Sequence, residues 1–299
     1  MKVNSMKSRH LAILLITLVS AGLCAPALID LLDSPSHSEY YSHIVFIPLI
    51  SGYLLYTRRR GLFDEAEHSI GPGLMLASAG IGFHGVAWYF KGQSSQNDHA
   101  ALMILASIMI WAGGFLSLYG TKVFKRAAFP IAFLMFMVPL PDKVMDFAIQ
   151  TLRIGSTEVA NRIFLLTGVP FHREGFIFDL STVSIEVARE CSGIRSFLSL
   201  LITGLLAANL FLTRGWTRAV LISSVLPIAV VKNGIRIAVL TILGAYVDEK
   251  ILTQSALHHK GGFVFFIIAL LLFGVLLWYL RRFEQQPVKV SGRAEIRDA

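Results

Sequence analysis

Three separated segments carry side chains that could act together on a peptide bond. Cys191 stands in Arg189-Glu190-Cys191-Ser192-Gly193-Ile194-Arg195-Ser196, where a polar stretch gives way to an apolar one. Arg236 stands in Val231-Lys232-Asn233-Gly234-Ile235-Arg236-Ile237, inside an apolar run. His258 and His259 stand in Leu257-His258-His259-Lys260-Gly261-Gly262-Phe263, just before the last apolar run. A thiol, a guanidinium and an imidazole form an acyl-transfer set. The thiolate attacks the carbonyl carbon, the guanidinium stabilises the oxyanion, and the imidazole protonates the leaving amine and deprotonates the incoming nucleophile.

Each residue also has a plainer reading. Cys191 could be a small helix-interface residue, but Glu190, Ser192, Gly193 and Arg195 are neighbours that a packing site does not need. The sequence places Cys191 in the first turn of a long helix, where unpaired N–H groups, the helix dipole and the cations Arg189 and Arg195 favour thiolate. A mid-span charge costs roughly 2.5 to 3.5 kcal/mol on insertion scales, so Arg236 calls for a partner or a function; its plainer reading is an arginine snorkelling to the interface. Lys232 and Asn233, four and three residues before it, share its helical face. Two solvated loop histidines are the plainer reading of His258 and His259. His258 and Gly262 are one helical turn apart, which places His258 at the start of the last helix; His259 remains a competitor.

The elements that must position these groups are membrane helices. Residues are 55% hydrophobic and 15% charged, and the mean hydropathy is +0.64, outside the range of an ordinary soluble domain. Apolar runs predict about eight transmembrane helices near 10–30, 40–57, 70–90, 100–120, 127–141, 196–213, 219–247 and 262–280. The net charge of +8 lies in short clusters between these runs, the pattern of a topology code and not of a nucleic-acid surface. Lys2, Lys7 and Arg9, then Arg58 to Arg60, Lys122, Lys125 and Arg126, Arg214 and Arg218, and Arg281 and Arg282 mark cytoplasmic ends. Both termini then lie inside and residues 142–195 form the one substantial outer segment. All three chemical groups reach the outer face.

Within that segment, Val144 to Leu166 has helical apolar spacing among charged residues and predicts an amphipathic helix on the membrane surface. Gly168 to Ala188 has Gly and Pro punctuation, then alternates in Phe176 to Phe178 and Val183 to Val187, and predicts a small β hairpin. The fold class is therefore all-α and polytopic, with residues 1–283 as a single transmembrane domain and 284–299 as a disordered cytoplasmic tail. Two cysteines, Cys24 and Cys191, exclude a multi-disulfide framework, and no ligand spacing points to a metal or cofactor. The N-terminal basic-then-apolar pattern resembles a signal peptide, yet the apolar stretch running on to about Leu32 fits a retained first helix.

Cys191-Ser192-Gly193, Asn233-Gly234-Ile235-Arg236 and His258 with Gly262 resemble, in order and spacing, the three motifs of the exosortase and archaeosortase family, over roughly residues 40–280. The resemblance implies a membrane cysteine protease or transpeptidase of the PEP-CTERM type sorting systems. Cys191 would be the nucleophile, Arg236 the transition-state stabiliser and His258 the general acid and base, supported by Glu190, Ser192, Gly193, Arg195 and Asn233. It also implies substrates: exported proteins ending in a short motif, an apolar helix and a basic cluster, passed through a thioester to an undefined acceptor. A bacterial inner membrane, with the site on its periplasmic side and lipid as a partner, is the expected setting. The alternative is a transporter in which Lys232 and Arg236 bind an anionic substrate.

Overall fold

The computed structural model describes residues 2–33, 38–41, 43–247 and 256–285; the side chains of 2–5, 38–39 and 256–261 lie outside that description. Among the described residues, six helices are long and apolar enough to cross a bilayer: Met6–Asp33, Ile70–Tyr89, Gln96–Arg126, Arg189–Phe211, Gly215–Tyr246 and Gly262–Gln285. A bent pair, Ala128–Met137 with Asp142–Thr167, raises this to seven. The chain is a multi-pass, mainly helical membrane protein with one small sheet. It divides into two compact units, Met1–Ala148 and Ile149–Ala299.

The first unit holds α1 (Lys2–Asp33), the single-turn α2 (Ser38–Tyr41), α3 (Phe46–Thr57), the short α4 (Arg59–Leu62), α5 (Ile70–Tyr89), α6 (Gln96–Arg126) and α7 (Ala128–Phe133). Small residues let α5 and α6 meet at backbone distance. A Cβ on Gly73 would come within 2.7 Å of the Gly113 carbonyl oxygen, and one on Gly113 within 2.6 Å of the Ala77 nitrogen. Lipid offers no hydrophobic drive for helix pairing, so this close van der Waals fit supplies it. Side-chain hydrogen bonds fasten α1 to α6, from Trp111 Nε1 to Thr17 Oγ1 at 2.9 Å and between His10 and Tyr119 at 2.7 Å.

Two of the eight expected spans take other forms. The apolar run 40–57 yields α3, whose 12 residues rise only about 18 Å against a hydrocarbon core of about 30 Å. The run 127–141 forms α7 and a 3-10 turn, then bends by 87° into α8 (Asp142–Thr167). Pro139 and Pro141 stand at that bend, and each disfavours helix in the residue before it.

The amphipathic helix predicted at Val144 to Leu166 is α8, and its predicted apolar side is buried in part. Ile149, Leu152, Ser156, Ala160 and Phe164 are buried, whereas Ile154 and Leu166 of the predicted face are exposed. This stripe at spacings of three and four packs into the second unit. The predicted hairpin is a three-stranded antiparallel meander, β1 (Phe171–Glu174), β2 (Ile177–Leu180) and β3 (Ser184–Glu186). Gly175, at φ +59°, allows the tight turn between β1 and β2.

The rest of the second unit is α9 (Ile194–Phe211), α10 (Gly215–Ser223), α11 (Val225–Tyr246) and α12 (Ala256–Gln285). Leu200, Leu212, Leu221, Val225 and Phe273 form the core that binds these four helices. Glu284 closes it at one end, accepting from the backbone N–H groups of Thr213 and Arg214 at 2.9 Å and from the Thr217 hydroxyl. A carboxylate at the start of α10 satisfies donors that the helix itself leaves open. The tail was expected from residue 284; Glu284 and Gln285 end α12, and residues 286–299 lie outside the described residues.

Candidate active site

Cys191 is placed by a change of helix type. The chain leaves β3, passes Ala188 in extended conformation and makes a 3-10 turn, Arg189–Ser192, in which the Cys191 N–H donates to the Ala188 carbonyl at 3.0 Å. Gly193, at φ +80°, then turns the chain into α9. Cys191 therefore precedes α9 instead of sitting in its first turn. A left-handed residue is needed to join the two helices, and a side chain there would be strained. Space is short as well, because a Cβ on Gly193 would lie 3.0 Å from Cγ and Oδ1 of Asn233.

Asn233 is the hub of the site. It is 1% exposed, and its Nδ2 donates to the Cys191 carbonyl at 2.7 Å and to Ser156 Oγ of α8 at 3.1 Å. One amide thus joins the thiol turn, α11 and α8. The next residue, Gly234, lets the helices close up: a Cβ there would lie 2.5 Å from Cβ of Val159. Lys232, one residue earlier, is 6% exposed and donates from Nζ to the Ser196 hydroxyl in the first turn of α9. Two successive side chains of α11 therefore grip the Cys191 segment.

Arg236, one turn beyond Lys232, reaches the same place. With Cys191 it lines a cavity of about 60 Å³ completed by Ile185, Glu186, Val187, Ile237, Leu240 and Thr241. That is room for about two waters. Its Nε is buried and has no hydrogen-bond partner among the described residues, a donor that a carbonyl oxygen or oxyanion entering this space would satisfy. The sheet roofs the thiol: Phe178 and Val187 pack with Ile237 and Ala238 of α11 and with Cys191. Arg153 of α8 fixes the roof, donating to the Val187 carbonyl, pairing with Glu186 at 3.0 Å and lying 3.8 Å over the Phe176 ring.

The site is recessed along α11. Tyr246, the end of that helix, is 13 residues beyond Asn233, about 20 Å at 1.5 Å per residue. The Thr182 hydroxyl bonds to the Ala245 carbonyl at 3.0 Å, so the sheet region follows α11 almost to its end.

Sequence expectations and structure meet here residue by residue. Cys191, Ser192, Gly193, Arg195, Asn233 and Arg236 come together. Ser192 is fully buried, with a hydroxyl that has no partner among the described residues. Glu190 and Arg195 are exposed beside the turn, and Arg195 lies close enough to Arg236 to feel its charge. His258 falls in the first turn of α12, which begins at Ala256; its side chain and that of His259 lie outside the described residues. Ser156, Ser196 and Thr241 join the site from outside the three sequence motifs. Among the described residues, no group of three or more His, Cys, Asp or Glu side chains could hold a metal ion.

A family model described as transmembrane exosortase matches residues 35–275, most of the chain and all of this site. No curated protein and no solved structure matches the chain. With the match running through the thiol turn and α11 alike, the protein belongs to the transmembrane exosortase family.

Proposed function

We propose that the protein is a cysteine transpeptidase that cleaves the C-terminal sorting signal of exported proteins and passes them to an acceptor. The observation that carries this reading is the shared cavity of Cys191 and Arg236, together with a buried Arg236 Nε that has no partner among the described residues. Cys191 Sγ, as thiolate, attacks the scissile carbonyl carbon. The guanidinium donates to the oxyanion, and the amine leaves with a proton supplied by His258, giving a thioester on Cys191. A nucleophile deprotonated by His258 then releases the product and regenerates the thiol.

The basic flanks of the spans support a periplasmic site in a bacterial inner membrane, because they assign the Arg214 end of α9 and α10 to the cytoplasm and the Cys191 end to the other side. Substrates of the inferred class end in a short motif, an apolar helix and a basic cluster, and their helix would reach the site through the bilayer. Anion transport past Lys232 and Arg236 has less support: the Lys232 ammonium is committed to Ser196, and its stem packs among Ile228, Val231 and Ile235.

The test is a membrane reporter carrying such a C-terminal signal, co-expressed with wild-type protein or with Cys191→Ala. Processing should vanish in the variant while the protein accumulates normally in the membrane. Processing that survives would sink the reading.

A further inference from the structure

Lys232 is a buried cation that the Cys–Arg–His chemistry does not use. It sits in mid-span on α11, 6% exposed, with an apolar cleft of Pro227, Ile228, Val231, Ile235 and Phe265 along its stem. Keeping an ammonium at such depth is expensive, and a protein ordinarily supplies a carboxylate to offset it. Here, among the described residues, Lys232 forms no ion pair; its hydrogen-bond partner is the neutral hydroxyl of Ser196. Arg236, one turn on along α11, is another cation and lies close enough to repel it.

Among the described residues, the surroundings of Cys191 are otherwise nearly balanced. Arg189 and Glu190 flank it on the 3-10 turn, Arg195 rises from α9, and Glu186 of β3 is paired with Arg153 of α8. Lys232 and Arg236 on α11 tip this balance to positive. Positive charge held beside a thiol stabilises both a thiolate and the oxyanion formed when it attacks.

We propose that Lys232 is a positioning residue of the Cys191 site, which anchors the first turn of α9 through Ser196 and supplies the buried positive charge that holds the thiol's surroundings electropositive. The assignment rests on reading Cys191 as the nucleophile, but its test needs no substrate.

In membranes carrying the protein with Cys24→Ala, Cys191 is modified by two methanethiosulfonates, one bearing a sulfonate and one a trimethylammonium group. The ratio of the anionic to the cationic rate reports the local potential. Lys232→Gln keeps a donor for Ser196 and removes the charge, and should lower the ratio on the order of tenfold. Lys232→Arg should restore it, and Ser196→Ala, which keeps the charge, should change it less than twofold. An unchanged ratio in Lys232→Gln overturns the proposal, whether or not sorting signals are processed. If the glutamine variant does not accumulate, Lys232→Met replaces it with the same two outcomes. Loss of processing in Cys191→Ala with no shift in this ratio would uphold the nucleophile and reject the role of Lys232.

Discussion

The amide of Asn233 holds the carbonyl of Cys191 at 2.7 Å, fixing the nucleophile's backbone to the helix that carries Arg236. A bond of this kind, joined to a second, buried one to Ser156, sets where the thiol stands without touching its sulfur. Asn233→Ala should therefore leave the Cys191 carbonyl without this partner and cost about 1–3 kcal/mol of stability. Asn233→Asp should be worse, because it turns an acceptor towards the Cys191 carbonyl and buries a charge. Thermal denaturation in detergent and the reporter processing rate check the order wild type, alanine, aspartate; an aspartate variant as active as wild type would contradict the hub role.

Arg236→Lys keeps the charge and removes the buried Nε donor of a side chain that lines the cavity. An ammonium cannot reproduce the planar fork of donors. Loss of one oxyanion donor elsewhere costs about 10²–10³ in rate, and a fall of that size in processing is expected here. Rates within threefold of wild type would show that Arg236 acts by charge alone.

His258 and His259 are separable by substitution. His258→Ala should lower processing at least about 10²-fold, the usual worth of a positioned acid and base, while His259→Ala should stay near wild type. The converse result would move the role to His259 and leave the rest of the mechanism intact.

Gly234 and Val159 form a steric pair. Gly234→Ala puts a methyl group 2.5 Å from Val159 Cβ and 2.9 Å from the Ser156 carbonyl oxygen, and overpacking of this kind costs about 1–3 kcal/mol. Val159→Ala in the same chain should recover much of the lost thermal stability. If the two changes add, the close contact between α8 and α11 is wrong.

The long apolar runs were legible because periodicity and length are properties of one segment at a time. The small hairpin region was legible too, its alternation surviving as three strands. The run 40–57 misled because hydropathy records apolar content and not where a helix starts, and α3 begins only at Phe46. The buried stripe of α8 was legible only in part. Ser156 and Thr157 are both fully buried, and the partner of Ser156 is Asn233, 77 residues away, which no local pattern reveals. Arg236 stood out as a charge inside an apolar run with Asn233 on its face, and Cys191 as a thiol among charged and small neighbours. Ser196 did not, since a lone hydroxyl in a helix carries no cost until the ammonium it meets is known.

The tight fit of Gly234 on Val159 also makes a claim about descent. Two helices that touch through a missing side chain can drift in sequence only together. Among relatives of this chain, a residue larger than glycine at the position of Gly234 should occur with a residue smaller than valine at that of Val159, and this exchange should be rarer than change at the exposed Ile235 next to it.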